Sequence, residues 1–222
     1  MTDKNALIAE DIRVVFGASD YRFVALDGIN LKVASGEFAV LMGPSGCGKT
    51  TLLHVLSGIL RPTSGCVWVD GTELTALGSA ARTRLRRDRI ALIFQKFNLL
   101  PTVSARGNVA IMKKLGASVG TSSPDELLET VGLGAKKDNL PSELSMGEEQ
   151  RVAIARALYT DPAIILADEP TGSVDSANKT RILDVFEDCN REMGRTILVA
   201  THDENVASRA GRVIEMEDGK VV

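Results

Sequence analysis

Cysteine is scarce in this sequence: Cys47, Cys66 and Cys189 are the only three, and they are widely spaced. An odd, scattered set does not suggest a disulfide framework or a zinc site, and it fits a reducing cytosol. An excess of one charge is also lacking. With 26 Lys and Arg against 29 Asp and Glu, the formal net charge is −3, which offers no bulk attraction for nucleic acid. No apolar run approaches the roughly 18 to 20 residues of a membrane span. If the protein works at a membrane, another polypeptide does the spanning. The start, Met1–Asn5, lacks the basic-then-apolar order of a secretion signal. Internal repeats and low-complexity segments are absent too.

What is there begins with ordinary bulk. The chain has 222 residues, 44% hydrophobic and 25% charged, enough to bury a core as one large domain or one domain with a smaller lobe. Its most informative stretch is Gly43-Pro44-Ser45-Gly46-Cys47-Gly48-Lys49-Thr50, which fits G-x-x-x-x-G-K-[ST]. A strand-like run, Phe38–Met42, precedes it, and a helix-like run, Thr51–Leu56, follows. Glycines let such a loop fold tightly, so that several N–H groups point into one space, and the helix adds its positive N-terminal end. Lys49 supplies a mobile charge for β- and γ-phosphates, and Thr50 a hydroxyl for Mg²⁺, with Thr51 counted among the binding residues.

The rest of the chain alternates. Leu7-Ile8, Ile12–Phe16 and Phe23–Leu26 read as strands between turns at Asp27-Gly28 and Ser35-Gly36; the strands ahead of Gly43 look antiparallel, a flanking sheet. Cys66–Leu74 reads as a hairpin with an Asp70-Gly71 turn, and Ile90–Phe94 as a short buried strand. Residues 102–159 are mostly helical in pattern. Then come a strand at Ala163–Ala167, a helix over Asp175–Met193 with Ile182, Leu183, Val185, Phe186 and Cys189 on one face, and strands at Thr196–Ala200 and Arg212–Met216. Strands alternating with helices predict a parallel sheet covered on both faces.

A phosphate loop alone leaves Mg²⁺ and an attacking water without partners. Asp168 and Glu169 supply them at the end of a buried strand, the edge where ligands sit in open α/β sheets. Asp168 holds the metal in this reading, and Glu169 polarises the water. Gln95 and His202 also follow strands and fall at the same edge. His54, inside the first helix, reads as packing.

Three segments, Leu144-Ser-Met-Gly-Glu-Glu-Gln-Arg-Val-Ala-Ile-Ala-Arg-Ala-Leu158, Ile165–Ser176 and Val199-Ala-Thr-His-Asp203, resemble the nucleotide-binding subunit of ABC transporters. The wording of Phe94–Pro101 and Ala167–Gly172 is most similar to the lipoprotein-releasing and macrolide-export branch. The resemblance covers essentially the whole chain. It implies an α/β P-loop NTPase fold of ABC type: a mixed or parallel sheet core with an antiparallel β flank (residues 1–95 and 160–222) and a helical subdomain insertion (residues 96–159). It implies head-to-tail pairing of two subunits, homodimer or heterodimer, in which ATP at the phosphate loop of one is closed by Ser145 and Gly147 of the other. Asp175 matches the loop that crosses that interface, Gln95 the residue that senses Mg²⁺ and water, and His202 the one that contacts the γ-phosphate. Phe16 matches the aromatic that stacks on adenine, with Tyr21 as the other candidate and strand packing as the competing reading.

The function implied is ATP hydrolysis energising a separate transmembrane permease, for export or for lipid or lipoprotein extraction, from the cytoplasmic face of the membrane. Phe97, Leu99, Leu100 and Met112 fall where such permeases dock short helices; core packing is the competing reading. An ABC-type ATPase that regulates a membrane protein without transport is the alternative. A nucleic-acid-linked ABC ATPase fits worse, because neither a second cassette nor a basic face is visible. The chain departs from the family pattern Leu-Ser-Gly-Gly-Gln at Met146 and Glu148. Met146 adds bulk and opposes positive φ, and Glu148 favours the helix start while setting a charge toward the facing nucleotide. The expectation is a working ATPase that is either slow or dependent on its partner. Cys47 replaces a common serine as filler, and Arg82, Arg84, Arg86, Arg87 and Arg89 read as a solvated helix face.

Overall fold

Alternating apolar residues build two long strands, β1 (Asn5–Phe16) and β2 (Phe23–Ala34), which pair antiparallel. They belong to a computed structural model that describes residues 4–17, 21–172 and 174–222. Met1–Asp3 of the leader reading, and Ser173 in the motif Ile165–Ser176, lie outside the described residues. After β2 come β3 (Phe38–Met42), α1 (Lys49–Leu56), the hairpin β4 (Ser64–Val69) and β5 (Thr72–Glu73), α2 (Ser79–Arg89) and β6 (Ile90–Ile93). A helical stretch follows: α3 (Ala105–Lys114), α4 (Pro124–Thr130) and α5 (Met146–Leu158). The chain then runs through β7 (Ile164–Asp168), α6 (Ser176–Arg191), β8 (Thr196–Thr201), α7 (Glu204–Ala207), β9 (Arg212–Glu217) and β10 (Lys220–Val221).

These strands form two sheets. One is four-stranded and antiparallel, in the order β2-β1-β4-β5; the other is six-stranded, in the order β10-β9-β3-β8-β7-β6. Within the larger sheet β9, β3, β8, β7 and β6 are parallel, with β10 as an antiparallel edge. Both faces of its centre are covered, which explains the nearly unbroken apolar runs of β3, β7 and β8. Successive side chains go to opposite sides. Leu41, Ile164, Leu166 and Leu198 join a core shared with α1 and the antiparallel sheet. Val40, Ile165, Ala167, Ile197 and Val199 join a second core with α3, α4, α5 and α6, including the predicted α6 face of Ile182, Leu183, Val185, Phe186 and Cys189. Among the described residues, no helix is long and apolar enough to cross a membrane.

The structure corrects the sequence reading in several places. The antiparallel flank contains β1 and β2, but β3 leaves it and sits between β8 and β9 in the larger sheet. Asp27-Gly28 is not a turn between strands. It lies inside β2, where the pairing shifts from Ile12↔Ile29 to Val14↔Leu26, so the long-range ladder absorbs the local turn signal as an irregularity. The arginine cluster lies on α2, which buries none of its residues, yet Arg86 and Arg87 turn toward an apolar cleft beside β6 rather than toward open solvent. The short α7 and the edge strand β10 carry too little apolar pattern to be read in advance.

Candidate functional site

Parallel register decides what meets at the sheet edge. Met42 pairs with Thr201, Ala200 with Asp168 and Ala167 with Ile93, so the segments after β3, β6, β7 and β8 emerge side by side. A cleft of about 320 Å³ opens there, lined by Ser45, Gly46, Gly48, Lys49, Thr50, Thr51, Gln95, Asp168, Glu169 and His202.

The loop from Gly43 to Gly48 ends on a glycine whose φ of +106° caps α1 without any side-chain hydrogen bond. A Cβ at Gly48 would stand 2.7 Å from the Ala25 carbonyl, so no larger residue fits the turn. The first N–H groups of α1 are thereby left facing the cleft. Lys49 is almost fully buried, and its ammonium donates to the carbonyls of Gly43 (2.6 Å) and Pro44 (3.0 Å). Cys47 is buried behind the loop, its sulfur against Gly43.

Facing the loop, the Thr50 hydroxyl lies 2.9 and 3.1 Å from the two carboxylate oxygens of Asp168. Burial pushes the Asp168 carboxyl above the ordinary aspartate range, the charge of Glu169 adding to the effect and the Thr50 hydroxyl opposing it. Two hard oxygens aimed at one point beside a phosphate-sized cradle suit Mg²⁺, a cation that keeps several waters and needs only one or two protein ligands. Glu169 sits at φ +45°, an uncommon conformation for a residue with a side chain. Its Oε1 is 2.7 Å from His202 Nδ1, and its Oε2 accepts from the Thr201 hydroxyl at 3.1 Å. Gln95 is exposed at the rim. His54 lies in α1, tilted against Phe94 with ring centroids 6.2 Å apart, as packing predicts.

Phe16, Ser145, Gly147 and Asp175 do not line this cleft. Phe16 ends β1 opposite Phe23, partly exposed, and Tyr21 is almost wholly exposed. Ser145 is exposed and caps α5 with a reciprocal pair of bonds to Glu148. Asp175 caps α6 and is joined to α5 through Asn178. Asn178 Nδ2 donates to Asp175 Oδ2 at 2.6 Å, while its Oδ1 accepts from the Arg151 guanidinium. The Asn178 backbone N–H, which donates to Asp175 Oδ1 at 3.0 Å, and then the Asn178 side chain hold the Asp175 carboxyl below the usual range. Gly147 packs directly under Asn178: a Cβ there would be 2.8 Å from Nδ2. Next along α6, Lys179 pairs with Asp203 at 2.7 Å, one residue past His202.

Met146 begins α5 with an ordinary backbone and a mostly exposed side chain, so the conformational objection to losing a glycine does not apply. The Glu148 carboxylate does not stand free either. Lys136 at 2.7 Å, then the Ser145 N–H at 3.0 Å, hold it below the ordinary glutamate range. Of the four apolar residues expected at a docking surface, Met112 alone lines the cleft between α2, β6, α3 and α5; Leu99 packs on the second core. Sequence reasoning missed Thr201, Asn178 and Lys179. Thr201 precedes His202 in a strand whose every residue is buried, which is the signal that its hydroxyl needs a partner.

The phosphate-loop cleft, the paired carboxylates and the two-sheet α/β fold define an ATP-binding cassette. The chain belongs to the ABC transporter family, whose model matches residues 26–172. A macrolide export ATP-binding/permease protein, MacB, of Syntrophobacter fumaroxidans is 44% identical over 217 residues, 96% of this chain. The chain spans only 30% of the length of that relative. An uncharacterized ABC transporter ATP-binding protein of Mycobacterium tuberculosis is 40% identical over 210 residues, 93% of this chain and 85% of its own length. Among solved structures, the dimeric ATP-binding cassette MJ0796, in a post-hydrolysis state bound to ADP and Pi, is 36% identical with a TM-score of 0.90, covering 97% of this chain and 96% of its own.

Proposed function

We propose that this chain binds and hydrolyses ATP and, by pairing head to tail with a second cassette, drives a membrane permease from the cytoplasmic face. The observation that carries the reading is the convergence of Lys49, the Thr50–Asp168 pair, Glu169, His202 and Gln95 on one cleft. The loop N–H groups cradle the phosphates, and Lys49 exchanges its Gly43 and Pro44 carbonyls for phosphate oxygens. Thr50, Asp168 and Gln95 would hold Mg²⁺, which would neutralise charge on the β- and γ-phosphates. Glu169 accepts a proton from the water that attacks the γ-phosphorus, ADP leaves with the electron pair of the broken P–O bond, and His202 donates toward the γ-phosphate.

Ser145, Gly147 and Asp175 stand away from their own cleft, which supports their use in trans. A second copy sets its Ser145 hydroxyl and Gly147 N–H on the nucleotide, and Phe16 stacks on adenine. Binding then draws the two cassettes together, and hydrolysis releases them. The permease docks at the cleft of about 370 Å³ whose apolar wall includes Phe94, Met112, Leu115 and Ala153. Arg86 and Arg156 line it, and among the described residues both donate to backbone carbonyls and to no carboxylate, so the occupant that fits is an amphipathic helix with a carboxylate. The printed names of the macrolide-export relatives favour an exporter. Glu169→Gln tests the assignment. It should abolish turnover and leave an ATP-induced dimer on gel filtration; hydrolysis at the wild-type rate would remove Glu169 as the base.

A further inference from the structure

We propose that Thr201 is a positioning residue for Glu169: its hydroxyl anchors one carboxylate oxygen, so that the other is the one that takes the proton of the attacking water. The inference rests on the reading of Glu169 as the general base. Thr201 ends β8, is completely buried, and pairs in register with Met42, the last residue before the phosphate loop. A buried hydroxyl is costly unless it is used. This one is used twice. Its oxygen accepts the Asp203 N–H at 3.1 Å, and its oxygen lies 3.1 Å from Glu169 Oε2. A hydroxyl has one proton to give. With Asp203 occupying a lone pair, that proton goes to Glu169.

The two oxygens of Glu169 are therefore held differently. Oε2 is fixed by a side chain rooted in a strand with neighbours on both sides. Oε1 is met by His202, whose side chain is 63% exposed and free to turn to the γ-phosphate. Once His202 turns, Oε1 is the oxygen left open to water, while Thr201 keeps the carboxylate from swinging with it. The left-handed backbone at Glu169 makes that restraint necessary, because no regular strand geometry orients the side chain there.

The test is steady-state ATP hydrolysis by the purified chain, with its permease where one co-purifies, comparing wild type, Thr201→Val, Thr201→Ser and Glu169→Gln. Losing a hydrogen bond to a carboxylate should lower kcat of Thr201→Val by about 10- to 100-fold. KM for ATP should stay within about twofold, because the ground state is untouched. Thr201→Ser keeps the hydroxyl and should recover to within about threefold of wild type. Thermal melts check folding, and Thr201→Ala replaces valine in the comparison if valine disturbs the strand end. An unchanged kcat in Thr201→Val would overturn the proposal, as would a serine variant as slow as the valine one, the mark of a merely structural role. The two readings fail distinguishably. An active Glu169→Gln would sink the base assignment and the anchor together, whereas an inactive Glu169→Gln beside a fully active Thr201→Val would sink the anchor alone.

Discussion

Replacing Glu148 by glutamine removes one charge from the start of α5 and keeps the side chain's shape, and the structure gives the expected cost. The glutamine oxygen still accepts the Ser145 N–H, so the cap survives. What is lost is the charge: its pairing with Lys136 at 2.7 Å and its position in the first turn of α5. A half-exposed ion pair contributes about 0.5 kcal/mol, and a first-turn carboxylate on the helix dipole about as much again. The sum is near 1 kcal/mol, which in a domain of this size moves Tm by about 2–4 °C. The pH dependence has a definite sign. The folded carboxyl titrates below the unfolded one, so its contribution is complete above the ordinary glutamate value of about 4.3. It fades as pH falls through that value and is lost below the lowered folded one. Calorimetric melts of wild type and Glu148→Gln should therefore differ at pH 7 and converge in acid. Because Lys136 already neutralises the carboxylate, KM for ATP should change by no more than about twofold. Equal Tm values at neutral pH, or a gap that persists through the acid range, would refute the reasoning.

Other outcomes follow from the same geometry. Gly147→Ala puts a methyl 2.8 Å from Asn178 Nδ2 and displaces the bond to Asp175. It should cost about 1–3 kcal/mol and weaken ATP-induced dimerisation; a melt and a gel-filtration profile like wild type would contradict this. Burial pushes the Cys189 thiol up to about 11. At pH 8 only about one thiol in a thousand is ionised, so mass spectrometry after native alkylation should find Cys189 unmodified and denaturation should expose it. Equal labelling in both states would show that α6 does not shield it.

Much of the fold was legible because burial on both faces forces continuous apolar runs. Phe38–Met42, Ala163–Ala167 and Thr196–Ala200 announce themselves as strands in that way, and the glycines and Lys49-Thr50 announce the loop between strand and helix. Residues at strand ends were legible for the same reason, since a polar residue after an apolar run marks the sheet edge. What stayed hidden depends on partners remote in sequence. Asp27-Gly28 looks like a turn until β1 pairs along it. Arg86 looks solvated until α2 is set beside β6. Asn178 and Thr201 are common polar residues whose importance comes from what they touch, Arg151 and Asp175 in one case and Glu169 in the other. Nothing in local pattern encodes those meetings.

Asn178 and Lys179 reach from one helical turn to two different places, Asn178 to Arg151 and Asp175, Lys179 to Asp203. One turn of α6 therefore ties α5, the helix that Ser145 caps, to the residue that follows His202, so the two segments share a single anchor.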